Sequence, residues 1–166
     1  MNYSSVPYQR DRAIAYAHRW AYKRNPAYAD FEEMGGDCTN FVSQCLYAGG
    51  GIMNTTPVHG WYYKSLKQRA PAWSGVNELY RFLTNNHAAG PVGKEVSLEN
   101  VLPGDIIQLA TEHSYFHHGM IVVDSGRIPA LDNILIACHS YDADNRPLSS
   151  YHILNLRCIH ITHVNL

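Results

Sequence analysis

The chain of 166 residues is expected to fold as an α+β protein in which N-terminal helices pack on a C-terminal antiparallel β-sheet, and two textures of sequence point there. Up to Asn86, apolar residues recur at helical spacing between polar stretches. From Val101 onward they gather in short β-rich runs separated by turn material, the segregated order of an α+β arrangement. A third observation bounds the size. At this length, 46% hydrophobic residues supply one core and too little for two, so residues 1–166 are expected to form a single domain.

The elements follow in order. In "SSVP" a serine cap followed by proline is expected to open the first helix. "YQRDRAIAYAHRWAYKR" continues it with Ala13, Ala17, Trp20 and Ala21 on one face, until "NPAY" stops it. In "GGDCTNFVSQCLYAGGG" the residues Cys38, Phe41, Val42, Cys45 and Leu46 share a helical face, which a triple glycine ends. Residues 51–75 turn to Pro, Gly, Trp and Tyr and read as a long irregular excursion. Trp61, Tyr62, Tyr63 and Trp73 there either line a groove or pin the loop to the core. "VNELYRFLTNN" is a third helix with Leu79, Phe82 and Leu83 inward. The runs "DIIQLA", "GMIVVD", "NILIACHS" and "YHILNLRCIHITHV" read as meander strands, joined through turn segments such as "DSGRIPALDN" and "DADNRPLSS".

Charge excludes some partners. Thirteen basic and 14 acidic residues lie without runs and leave a net charge of -1, which offers no footprint for nucleic acid or an anionic membrane. No segment approaches the length of an apolar membrane span, and the first 20 residues are polar where a secretory signal would be apolar. A cell-envelope or secreted location is therefore expected only if the chain is part of a longer protein, and a cytoplasmic one otherwise. Oligomeric state is left open. Cys38, Cys45, Cys138 and Cys158 show neither a CxxC pair nor the density of a disulfide scaffold.

A cysteine at a helix start meets the helix dipole and free N–H groups, which favour the thiolate. Cys38 holds that position, while Cys45 reads as core. In "HHGMIVVD" alternation puts His118, Met120 and Val122 on one side of a strand and Gly119, Ile121 and Val123 on the other. His118 is expected to face the helices and take the Cys38 proton. His139, near the end of the next strand, is placed to accept a hydrogen bond from His118 and fix its tautomer.

With those residues in view, the chain resembles the bacterial putative amidase domain. The resemblance is carried by "YAHRWAYKRNPAYADF", "DCTNFVSQCLYAGG", "LPGDIIQL", "HHGMIVVD" and "IACHSYDADNRPLSS", from about Tyr8 to about Ile161. That family sits in the papain-like superfamily with the NlpC-type and CHAP cell-wall hydrolases. The resemblance implies a cysteine amidase or peptidase without a cofactor, acting on peptide or peptidoglycan fragments. It implies Cys38 as nucleophile, His118 as general base and His139 as orienting third member, with Asp142 in reserve. It further implies that the Cys38 backbone N–H serves an oxyanion hole, with Tyr28 a candidate second donor. Asp37 stands where NlpC-type enzymes carry an aspartate that meets a free amino group. Two other readings compete: a zinc hydrolase using His113, His117 and His118, whose first two members have i, i+4 spacing, and an inactive wall-peptide binding module of the same fold.

Overall fold

The structure is a computed structural model that describes residues 3–112 and 115–166. A short strand β1 (Ser5–Val6) leads into α1 (Arg10–Trp20), and α2 (Cys38–Gly50) follows a glycine-containing loop. The excursion after α2 holds a small hairpin, β2 (Tyr63–Ser65) and β3 (Gln68–Arg69), one helical turn α3 (Pro71–Ser74), and then α4 (Val76–Asn85). The rest is strand: β4 (Gly90–Val96), β5 (Ile106–Ala110), β6 (His118–Asp124), β7 (Leu135–Cys138), β8 (Ala143–Pro147) and β9 (Asn155–Asn165).

The main sheet runs β1-β9-β5-β6-β7-β8, with β4 paired to the other edge of β9, and each of these pairings is antiparallel. From β5 to β8 it is the expected meander. β9 departs from it, returning across the sheet to pair with β5, β4 and β1.

Directly paired residues project to the same face, so the register sorts the core. Ile106 pairs with Ile121 and with Ile159, and these pack with Phe41, Val42, Cys45 and Leu46 of α2 and with Ala13 and Ala17 of α1. Ile107 pairs with Met120 and with Cys158, and these belong to a second cluster with Leu109, Val122, Ile136 and Cys138. The helices therefore cover one face, as expected. The other face is also dry, closed by Val101 and Leu148 from the loop segments.

α2 is buried on nearly every side. Its polar residues Asn40, Ser43 and Gln44 are buried along with its apolar face, and each is hydrogen-bonded, as buried polar groups must be. Trp73 Nε1 donates to Asn40 Oδ1 at 2.8 Å, and Trp61 Nε1 donates to Ser43 Oγ at 2.9 Å. Both indoles are fully buried and pin the excursion to α2, so of the two readings for these tryptophans the core reading applies.

Two expectations change, and one strand is new. Residue Ser5 lies in β1, and α1 opens at Gln9 without a side-chain cap, because the first segment is drawn into pairing with β9. The segment "GPVGKEV" is strand β4, and part of the supposed turn "DADNRPLSS" is strand β8. No helix among the described residues is long and apolar enough to cross a membrane.

Candidate active site

The loop entering α2 turns at Gly35 and Gly36, with φ of 104° and 107°, where a Cβ is strained. It delivers Asp37 into the interior. There Asp37 Oδ1 accepts from the Phe31 N–H at 2.9 Å and from Asn40 Nδ2 at 2.8 Å, while Oδ2 accepts from His139 Nδ1 at 2.5 Å. Arg24 Nε lies 3.4 Å from Oδ2 without a hydrogen bond of its own. Asp37 is fully buried and occupied by these groups, so its carboxylate stays inside the fold and does not meet an incoming amine.

His139 sits across from it, 1% exposed, with its ring stacked on Phe41 at a centroid separation of 4.1 Å. Its second nitrogen, Nε2, donates to the Trp20 carbonyl at 2.8 Å. An oxygen stands opposite each ring nitrogen. The imidazole thus ties the β7 end to α1 and to the entry of α2.

The turn that carries His139 is itself unusual. Ser140 and Tyr141 have φ of 59° and 68°, the left-handed pair of a mirror-image hairpin turn that usually selects Asn-Gly. For L residues with a side chain this costs about 1 to 2 kcal/mol each. Compensation comes from Ser140 Oγ, which accepts the Asp37 N–H at 2.8 Å and donates to Glu32 Oε2 at 3.0 Å. These hydrogen bonds hold the turn against the entry of α2.

Cys38 opens α2 and is 7% exposed. Its Sγ lies 3.8 Å from Thr39 Oγ1 and 4.0 Å from the His117 carbonyl oxygen. The backbone N–H groups of Gly119 and Thr39 favour its thiolate, yet burial outweighs them and pushes the thiol above its ordinary pKa, with Asp37 adding to the rise. The helix start alone therefore does not make a resting thiolate here, contrary to the positional expectation.

The strand register makes room for the sulfur. β7 pairs with β6 only at Ile121, Val122 and Asp124, so residues 117–119 have β5 on one side and Cys38 on the other. Gly119, rather than His118, turns its Cα toward α2, where a Cβ would stand 3.9 Å from Thr39 Oγ1 and 4.0 Å from Val42 Cγ2. His118 pairs with Leu109 and projects to the opposite face, its ring 6.0 Å from that of Tyr151. This corrects the expectation that His118 faces the helices. The thiol adjoins the His118 backbone from beside the strand instead. Cys38 also influences Cys138, which lies on the His118 face. Burial, joined by His117 and Arg146, lowers the His118 pKa to about 4 and keeps the ring neutral near pH 7.

The hydrogen bonds of Cys38 Sγ thus go to Thr39 and His117, and those of His139 to Asp37 and Trp20. Cys38 and the start of β6 are brought together. His139 is joined to the α2 entry, not to His118. Asp142 is exposed and bound to Arg24 at 2.8 and 3.1 Å. Tyr28 is packed between Tyr63 and Trp73, at 5.2 and 5.7 Å. His117 is exposed and bonds Thr111 Oγ1 through Nε2 at 3.1 Å, while His113 lies outside the described residues. Among the described residues, no group of three or more His, Cys, Asp or Glu side chains is arranged to hold a metal.

Sequence reasoning missed Arg146 and Tyr151, whose side chains stand on the His118 face. No regular alternation announces them, because Arg146 lies in a segment that reads as turn and Tyr151 adjoins it.

A mixed α+β protein that sets a buried thiol at a helix start against a strand bearing a neutral imidazole is the class these observations define. Residues 7–162 match the family described as "Putative amidase domain", and the chain belongs to that family. It is 35% identical over 144 residues to "Uncharacterized protein YhbB" of Bacillus subtilis (strain 168), across 84% of this chain and 43% of the relative. The chain thus spans less than half the length of that relative. No solved structure matches it.

Proposed function

We propose that the chain is a cysteine-dependent amide hydrolase, a single domain of the papain-like class to which NlpC-type and CHAP enzymes belong, acting on peptide or amide bonds of bacterial cell-wall fragments. Cys38 is the nucleophile and His118 the general base. The observation that best supports this is the placement of Cys38 Sγ 4.0 Å from the His117 carbonyl, at the open side of the strand that begins with His118.

In the resting site both partners are neutral, because burial raises the thiol and lowers the imidazole. The proton therefore moves as the bond forms: Sγ attacks the amide carbonyl carbon, the thiol proton passes to His118, and the carbonyl oxygen becomes an oxyanion. N–H groups of the first turn of α2, which lack intrahelical acceptors, are the donors for it. Collapse breaks the C–N bond, and the imidazolium gives its proton to the departing amine. Water then attacks the thioester with His118 again as base, releasing the carboxylic acid and restoring the thiol. Proton transfer of this kind contributes roughly 10² to 10⁴ in rate, and each oxyanion donor about 10² to 10³. His139 has the part of a positioning residue, holding the α2 entry through Asp37.

The test is mass spectrometry of purified wall fragments incubated with the wild type and with Cys38→Ala. Cleavage products from the wild type alone are expected, and their masses name the bond. Equal cleavage by the variant, or intact fragments with both proteins, overturns the assignment.

A further inference from the structure

We propose that the Arg146 guanidinium is a carboxylate receptor at the candidate active site, so that the amides cleaved carry a free carboxylate near the scissile bond. The inference rests on the cysteine hydrolase reading above.

The register supplies the geometry. His118 pairs with Leu109 and Arg146 pairs with Ile136, and both of those partners lie in the same cluster on the sheet face away from the helices. His118 on β6 and Arg146 on β8 therefore project to one face, with β7 between them. Tyr151 links them. The Arg146 Cζ lies 4.0 Å over the Tyr151 ring, the His118 ring is 6.0 Å from it, and Tyr151 Oη is 3.4 Å from Cys138 Sγ.

Arg146 is also held in place before any ligand arrives. Its Nε donates to Ser150 Oγ at 2.7 Å, and Ser150 Oγ donates on to the Pro147 carbonyl at 2.7 Å. Among the described residues it forms no salt bridge, whereas Arg10 reaches Asp105 at 2.8 Å and Arg24 reaches Asp142 at 2.8 Å. Its Nη2 donates to the Ser150 carbonyl at 3.5 Å, and Nη1 has no hydrogen-bond partner among the described residues, so a fixed, half-buried guanidinium presents the planar fork that carboxylates fit.

The surroundings make the missing anion consequential. The groups around His118 are His117, the Arg146 guanidinium, the half-buried phenol of Tyr151 and the buried thiol of Cys138. Among the described residues no carboxylate bonds Arg146, and Asp142, the anion felt at Cys138, is bound to Arg24 instead. A bound carboxylate would neutralise it, relieve the field on His118 and make the imidazole a better proton acceptor once substrate is in place. A neutral amide would gain neither the contact nor the stronger base.

Alkylation of Cys38 tests this without turnover. Iodoacetate and iodoacetamide differ in little but the carboxylate, and peptide mapping reads the rate at Cys38 with each, glutathione giving the ratio for a free thiol. The wild-type iodoacetate to iodoacetamide ratio is expected to exceed that of glutathione by about fivefold, the effect of a favourable exposed ion pair. Arg146→Gln should return the ratio to the glutathione value, and Arg146→Lys, which keeps the charge and loses the fork, should restore part of it. A wild-type ratio equal to that of glutathione overturns the proposal and needs no variant. A raised ratio that survives in Arg146→Gln, folded by its melting curve, overturns the assignment to Arg146. Failure of both reagents to label Cys38 overturns the reading on which the proposal rests, and the proposal with it.

Discussion

The pair between Asp37 and His139 is the contact whose removal the structure makes most costly. In His139→Ala, Asp37 Oδ2 would lose its 2.5 Å partner and keep only Arg24 Nε, 3.4 Å away and not hydrogen-bonded. Leaving a buried polar group short of its hydrogen-bond partner costs about 1 to 3 kcal/mol, and more where the group is a carboxylate. The Trp20 carbonyl would lose its 2.8 Å donor, and Phe41 its stacked ring at 4.1 Å, a contact of about 0.5 to 1.5 kcal/mol. These costs overlap, because the site can relax around Arg24. A loss of about 4 kcal/mol is expected, read from urea denaturation as a lower midpoint at unchanged slope. At roughly 2 to 4 °C per kcal/mol for a chain of this size, Tm should fall by about 8 to 16 °C. The double variant Asp37→Asn with His139→Gln should lose less than the two single variants together, because no uncompensated charge is left behind. A loss below about 1 kcal/mol in His139→Ala would place the pair among exposed ion pairs and refute the argument from burial.

Other outcomes follow from the same geometry. Cys38→Ala should abolish hydrolysis and leave the melting curve nearly unchanged, and retained turnover would remove Cys38 from the chemistry. Iodoacetamide should label Cys38 before Cys45, which is fully buried, and equal labelling by peptide mapping would count against a distinct thiol. Because the folded His118 pKa is about 4 against an ordinary 6.5, the unfolded chain takes up that proton first as pH falls. Its contribution is therefore intact above pH 6.5 and lost progressively down to about pH 4, by about 3 kcal/mol. His118→Gln should flatten that slope in denaturation titrations. Gly49→Ala would put a Cβ 2.4 Å from the Tyr8 ring and 3.0 Å from the Gln9 carbonyl, and should cost about 1 to 3 kcal/mol by calorimetry.

Local periodicity carried the helices because their buried faces repeat within one segment. Ala13 and Ala17 of α1, and Leu79, Phe82 and Leu83 of α4, are buried as their spacing requires. β4 was hidden by Gly90, Pro91 and Gly93, residues that weaken a strand taken alone. Its pairing with β9 supplies what its own residues lack. At Gly93 a Cβ would meet Ile159 Cγ2 at 2.8 Å, so the glycine there serves close approach. β8 was hidden for a related reason. Its register against β7 shifts between Ile136 and Cys138, and Asn145 takes a φ of 53°, so the alternation that would have announced Arg146 is broken. At the site, Cys38 was legible through its helix start. The face of His118 was not, since alternation separates His118 from Gly119 without saying which side meets a helix.

That last point bears on how the two halves of the site divide their work. Had β7 continued alongside β6 beyond Ile121, its backbone would occupy the side of residues 117–119 where Cys38 Sγ now lies. The strand stops instead at Cys138, and the next residue, His139, turns away to Asp37 and Trp20. The residue that ends the strand therefore also anchors the helix that fills the vacated edge. On this geometry, loosening His139 should displace the thiol along the open side of β6 and leave the His118 ring on Tyr151. The two histidines then affect catalysis differently: His118→Ala should lower turnover at every pH tested, and more than His139→Ala. His139→Ala should lower it through misplacement of Cys38, visible as slower alkylation of that thiol at a temperature where the variant is still folded. Alkylation at the wild-type rate in folded His139→Ala would break the link between the anchor and the nucleophile.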